Sequence, residues 1–239
     1  MAPHQARAIS THHLRRHLVL ILLLTIAAVT TQAATMDAAA PAPSTAEGRS
    51  TESSAAASFL RARCGTTLYP PVCYDSLLPH ASEFRTSYAR LARVAADVAA
   101  AHLRALSTRV KDILHHEPEP AEGSGGRPTE TAALRDCAST ISSAANLARQ
   151  SSAELDRLDA SQTTTTRAAG GGSSRQARWE VSNAKTWLSA AMTNEGTCAD
   201  GLEEAGATAS PTRKEVTAGV VSVKQFTSNA LALVNGIPL

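Results

Sequence analysis

From Glu83 to His116 the apolar residues fall three and four apart: Phe84, Tyr88, Leu91, Ala95, Val98, then Leu106, Val110 and Ile113. The pattern recurs three more times. Thr129 to Asp159 carries Leu134, Cys137, Ile141, Ala145, Ala148, Leu155 and Leu158. Arg175 to about Ala205 carries Trp179, Ala184, Leu188, Ala191 and Leu202, and Thr212 to Val234 carries Val216, Val220, Val223, Phe226, Ala230 and Val234. Such a period marks one apolar stripe along a helix. No segment alternates with period two over any length, and aromatic residues make up only 3% of the chain, so strands have little support. Four long amphipathic helices around one core predict an all-α fold, an up-and-down four-helix bundle. Thr129 just before Glu130, and Pro211 at a helix-start position, read as helix beginnings.

Three polar stretches punctuate the pattern. EPEPAEGSGGRP (Glu117 to Pro128) and SQTTTTRAAGGGSS (Ser161 to Ser174) are rich in residues that build no packed element and read as linkers. Residues 34–57 are Ala, Ser, Thr, Pro and Gly without periodicity and read as a disordered leader. Ahead of them, Arg15 and Arg16 precede the apolar run LVLILLLTIAAV (Leu18 to Val29), and the small-residue stretch TTQAAT follows. A basic start, a short apolar run and a small-residue cleavage site make residues 1–33 a secretory signal peptide. The run is short of the roughly 20 residues a membrane span needs.

Loss of that leader changes the charge. The chain has 23 Lys+Arg against 21 Asp+Glu; residues 1–33 hold three arginines and no acid, leaving 20 against 21. The sequence pI of 8.4 therefore overstates the mature chain's basicity, and nothing argues for nucleic acid. One local run is basic: residues 83–111 hold Arg85, Arg90, Arg93, Arg104, Arg109 and Lys111 against Glu83 and Asp97. That face suits either solubility or weak contact with an acidic polysaccharide.

Four cysteines remain, Cys64, Cys73, Cys137 and Cys198. An even number in a secreted chain predicts two disulfides, with three connectivities open. The intervening spacings of 8, 63 and 60 residues lack the close pairs zinc prefers. In an antiparallel helix pair, residues equally far from the connection lie side by side. The midpoint of Cys137 and Cys198 falls inside the Thr/Gly linker, which favours that bridge and leaves Cys64 with Cys73. The second bridge then staples a helical hairpin of SFLRARC and CYDSLL, turned by Tyr69-Pro70-Pro71.

No catalytic constellation emerges. G-x-S-x-G, H-E-x-x-H and a phosphate loop between strand and helix are absent from the sequence. His115-His116 beside Glu117 point to different helix faces. The pairs Glu203-Glu204 and Asp156/Asp159 suit a wet helix face. Neither a metal nor a cofactor is indicated, and binding is the default role.

Four stretches carry a family resemblance. FLRARCGTTLYPPVCYDSLLPHA resembles the N-terminal hairpin of plant invertase and pectin methylesterase inhibitors. ALRDCASTISSAANL and WEVSNAKTWLSAAMTNEGTCADGL resemble that family's third- and fourth-cysteine helices, and SNALALV its C-terminal ending. The resemblance runs from about Ser58 to Leu239. It implies a bundle domain over 58–239 with a hairpin at 58–82, disulfides Cys64–Cys73 and Cys137–Cys198, secretion to the cell wall, and a chain that blocks an enzyme by covering its active-site cleft. Invertase inhibitors carry a Pro-Lys-Phe segment where this chain reads GGGSSRQARWEVSNAKTW. The expected target is therefore pectin methylesterase, in a 1:1 complex, with acid invertase as the alternative and a non-inhibitory polysaccharide-binding wall protein as a further one. By the same resemblance Ser189, Thr197 and Asp200 occupy target-contact positions. Two acidic family positions are replaced by Ser143 and Asn146.

Overall fold

Residues 45–116, 127–165, 173–206 and 210–239 are described by the computed structural model of the chain. Among them every regular element is helical. Helices α1 (Thr45–Cys64) and α2 (Pro70–Leu77) form an N-terminal hairpin, and a 3₁₀ turn (Leu78–His80) leads into the short α3 (Ala81–Phe84). Four long helices follow: α4 (Tyr88–His116), α5 (Arg127–Thr165), α6 (Ser173–Glu204) and α7 (Pro211–Asn235). Each packs on the next, and α7 returns to α4, whereas the diagonal pairs barely touch. This closed square is the up-and-down four-helix bundle that the apolar periods predict.

The α5–α6 register rests on two links. Cys137 is bonded to Cys198, and the buried Ser151 Oγ donates to the Ala184 carbonyl at 3.1 Å. Both pairs have their midpoint between residues 167 and 168, as antiparallel helices joined by one connection require. The second disulfide joins Cys64 to Cys73 across the hairpin.

Alanine lines much of the core, including Ala92, Ala96 and Ala99 of α4, Ala144 and Ala148 of α5 and Ala184 and Ala191 of α6, while Leu103, Leu134, Leu155, Leu158, Leu188 and Leu202 supply bulk. Small side chains let the axes approach closely. At Gly219 of α7 a Cβ would stand 2.6 Å from Leu106 Cδ1 of α4. Buried side-chain hydrogen bonds cross three seams of the bundle: Ser107 Oγ to the Ala138 carbonyl (α4–α5), Ser151 to Ala184 (α5–α6), and Thr227 to Glu195 (α6–α7). A fourth contact docks the hairpin. Asn229 on α7 accepts from the Tyr69 N–H at 3.2 Å and donates to the Tyr69 carbonyl at 3.0 Å.

Local chemistry sets the helix ends. Ser210 caps α7, its hydroxyl accepting from the Arg213 N–H, with Pro211 in the first turn where its missing N–H costs nothing. Gly206, two residues beyond the end of α6, has φ +135°, a conformation favouring glycine. Among the described residues Arg85 is the non-glycine residue at positive φ, +50°, and there the chain turns from α3 into α4.

Several expectations are corrected. The disordered leader that composition predicts over 34–57 does not extend that far: α1 starts at Thr45, with Ala56 and Leu60 buried. Alanine-rich sequence favours helix, and the face of α1 is covered, Phe59 packing edge-on to Tyr88 at 5.2 Å between ring centroids. Residues 1–33 and 34–44 lie outside the described residues. The helix expected from Glu83 is broken: Phe84 closes α3, and α4 starts at Tyr88. Helix also reaches into both linkers, since α5 runs from Arg127 to Thr165 and α6 from Ser173; Thr129 is thus inside α5. The remainder of the linkers, 117–126 and 166–172, lies outside the described residues. Trp179, placed by its spacing on the core stripe, is instead 63% exposed, because Ala177 and Val181 take the inward positions.

Candidate functional site

α6 is held from behind by α5 and α7, so one long face points outward. Ser189, Thr197 and Asp200 are all exposed there. Ser182, Thr186 and Thr193 are exposed too and extend the same three-and-four spacing. From Ser189 to Asp200 this stripe runs about 17 Å along the axis at 1.5 Å per residue.

Hydrogen bonding gives the face its chemical character. Thr186 Oγ1 donates to the Ser182 carbonyl at 3.0 Å, Thr193 Oγ1 to Ser189 at 3.2 Å and Thr197 Oγ1 to Thr193 at 3.1 Å. Each threonine thereby commits its one proton to its own helix and turns lone pairs outward. With the Asp200 carboxylate the face is rich in acceptors, and a partner that fits it presents donors, such as Lys, Arg, amide or backbone N–H groups.

The α5 side completes the surface. In the register set by Cys137–Cys198 and Ser151–Ala184, Asn146 stands level with Ser189 and Ser139 with Gly196. Arg149 Nη2 donates to Asn146 Oδ1 at 2.6 Å, and Asn146, Arg149, Gln150 and Ala153 line a shallow depression of about 460 Å³. Where the family resemblance implies acids at Ser143 and Asn146, this chain places polar neutral side chains beside an arginine. Thr186, Thr193 and Arg149 were missed by sequence reasoning; for the threonines the signal was the three-and-four spacing from Ser189 and Thr197.

Behind the face lies Glu195. Its side chain is fully buried, Thr227 Oγ1 lies 2.6 Å from its Oε1, and among the described residues its Oε2 has no hydrogen-bond partner. Burial pushes this carboxyl up to about 7, against the smaller downward pulls of the Thr227 hydrogen bond and the Lys224 charge.

The other candidates do not converge. His115 and His116 sit exposed at the end of α4, and Glu117 lies outside the described residues. Among the described residues no cluster of three His, Cys, Asp or Glu is placed to hold a metal. The basic run of α3–α4 is largely paired: Arg85 with Glu52 at 3.0 Å, Arg90 with Asp159 at 2.9 Å, Arg93 with Asp97 at 3.1 Å and Arg109 with Glu215 at 2.7 Å. Three of those carboxylates come from outside the segment, so the excess counted along the sequence is not an excess in space.

Fold and face together define a disulfide-tied helical bundle that offers a polar helix surface. The chain belongs to the plant invertase/pectin methylesterase inhibitor family, whose model matches residues 58–233. It is 32% identical over 177 residues to pectinesterase inhibitor 10 of Arabidopsis thaliana, covering 74% of this chain and 50% of that one, so the match spans half that relative's length. It is 31% identical to pectinesterase inhibitor 9 of Arabidopsis thaliana, over 74% of this chain and 79% of that one. In fold it resembles the crystal structure of a mutant form of a pectin methylesterase inhibitor from Arabidopsis, with a TM-score of 0.51, 17% identity, and coverage of 73% of this chain and 94% of that one.

Proposed function

We propose that this chain is a secreted inhibitor of pectin methylesterase that acts in the plant cell wall. It covers the enzyme's cleft in a 1:1 complex through the outer face of α6 and the adjoining rim of α5. The observation that carries the reading is the match to relatives named pectinesterase inhibitors across the whole four-cysteine bundle. Ser189, Thr197 and Asp200 are the contact residues. The threonine lone pairs and the Asp200 carboxylate receive hydrogen bonds from donors on the rim of the target's cleft. Residues 1–33 direct the chain out of the cell, where its disulfides persist.

The test is a pair of inhibition assays of the oxidised protein, against plant pectin methylesterase and plant acid invertase, at wall pH. Inhibition of the esterase alone is the expected result. Inhibition of invertase alone, or of neither enzyme, overturns it.

A further inference from the structure

We propose that Glu195 makes the fold itself acid-dependent: with a proton on its carboxyl the α6–α7 seam is closed, and losing that proton places an uncompensated charge in the core and loosens α6 behind its exposed stripe. The inference concerns stability and stands apart from the inhibitor reading.

The geometry favours the neutral acid. Thr227 Oγ1 lies 2.6 Å from Glu195 Oε1 and 3.4 Å from the Val223 carbonyl oxygen. A hydroxyl has one proton to give, so an ionised Glu195 takes it and leaves the Val223 contact empty. A protonated Glu195 instead donates to Thr227 Oγ1, which frees the threonine proton for Val223. The second carboxyl oxygen settles the matter. Oε2 has no partner among the described residues, and a buried carboxylate oxygen without one is far costlier than the carbonyl oxygen of a neutral acid.

Compensation from the surroundings is slight. Glu195 and Thr227 are both wholly buried. Lys224 of α7, whose side chain is itself exposed, is the charged group that pulls on Glu195, and its pull is smaller than the effect of burial. Glu195 lies one turn from Cys198 and two residues from Thr197, so strain at this seam falls directly beneath the α6 stripe.

The sign follows from linkage. The carboxyl titrates near 4.5 in the unfolded chain and at about 7 in the fold, so the folded state holds the extra proton between those values. The stability it confers is complete below 4.5 and is lost as pH rises towards 7. His102, whose basicity burial lowers, works the other way, weakening the fold as pH falls below 6.5.

The experiment is denaturant unfolding of the oxidised protein, followed by circular dichroism at pH 4.5, 5.5, 6.5, 7 and 8, with Glu195→Gln beside the wild type. The expected result is a midpoint that declines from pH 4.5 to 7 in the wild type, with up to one proton released on unfolding. In Glu195→Gln that decline is absent and the opposing His102 contribution persists. Parallel pH profiles of the two proteins overturn the proposal. If Glu195→Gln does not fold, carbon-13 NMR titration of the wild-type glutamate carboxyls decides: one carboxyl titrating near 7 sustains the proposal, and all of them titrating below about 5 overturns it.

Discussion

Tyr69 sits in a turn between two short helices, yet both its backbone N–H and its carbonyl are held by one side chain 160 positions away. Asn229 is 3% exposed, and its amide is the group that fastens the hairpin to the bundle. Asn229→Leu leaves the Tyr69 N–H without that partner, at a cost of about 1–3 kcal/mol if water does not reach it, while the carbonyl keeps the Cys73 N–H as its donor. The expected outcome is a lower urea midpoint, with faster reduction of Cys64–Cys73 by dithiothreitol than in the wild type. Asn229→Asp keeps the acceptor and falls between the two. Neither Asn229 nor Glu195 announces itself in the sequence. Each is a polar residue on a helix whose meaning depends on a partner far along the chain, and no local pattern encodes that.

Among the elements, α6 carries the proposed contact and also the longer disulfide. Thr197→Arg places bulk and positive charge where the face offers acceptors. Inhibition is expected to be abolished with helical content unchanged by circular dichroism, and full inhibition by that variant would show that a different face meets the target. Removing Cys137–Cys198 by a double Cys→Ala replacement frees a loop closed over a separation of 61 residues. In the chain-entropy model this costs about 4 kcal/mol, and the same change at Cys64 and Cys73 costs about 3. The two urea midpoints, measured side by side, check that order. Helix number, helix pairing and the long bridge were legible because a 3–4 apolar period and an antiparallel midpoint are local arithmetic. Helix ends were less so. Ser210-Pro211 signals one plainly, whereas Thr45 and Thr165 lie inside low-complexity sequence, where composition speaks for a coil and covered neighbours or simple continuation speak for helix. The outward position of Trp179 was hidden for a related reason: Ala177 and Val181 share its window, and hydrophobicity alone does not say which of the three faces in.

At the scale of the whole molecule, charge is distributed so that little of it is spare. Beyond residues 1–33 the count is 20 basic to 21 acidic side chains, and the arginines of the α3–α4 face meet carboxylates from α1, α5 and α7. Exposed pairs of this kind contribute about 0–1 kcal/mol each, but they cancel the field a polyanion would follow. On a polygalacturonate column the protein is expected to elute at or below about 0.15 M salt, where screening already reaches within 8 Å. Firm retention well above that salt would revive the wall-polysaccharide role.

The alanine-lined seams have a consequence for how the bundle finds its alignment. A strip of alanines is nearly smooth. One helix sliding past another by a turn, about 5.4 Å, meets much the same surface again. The buried leucines between the alanines resist the slip, and single bonds act as detents that fix the position: Ser107 on the Ala138 carbonyl, and Ser151 on that of Ala184 beside the Cys137–Cys198 bridge. The bundle is indexed as well as geared.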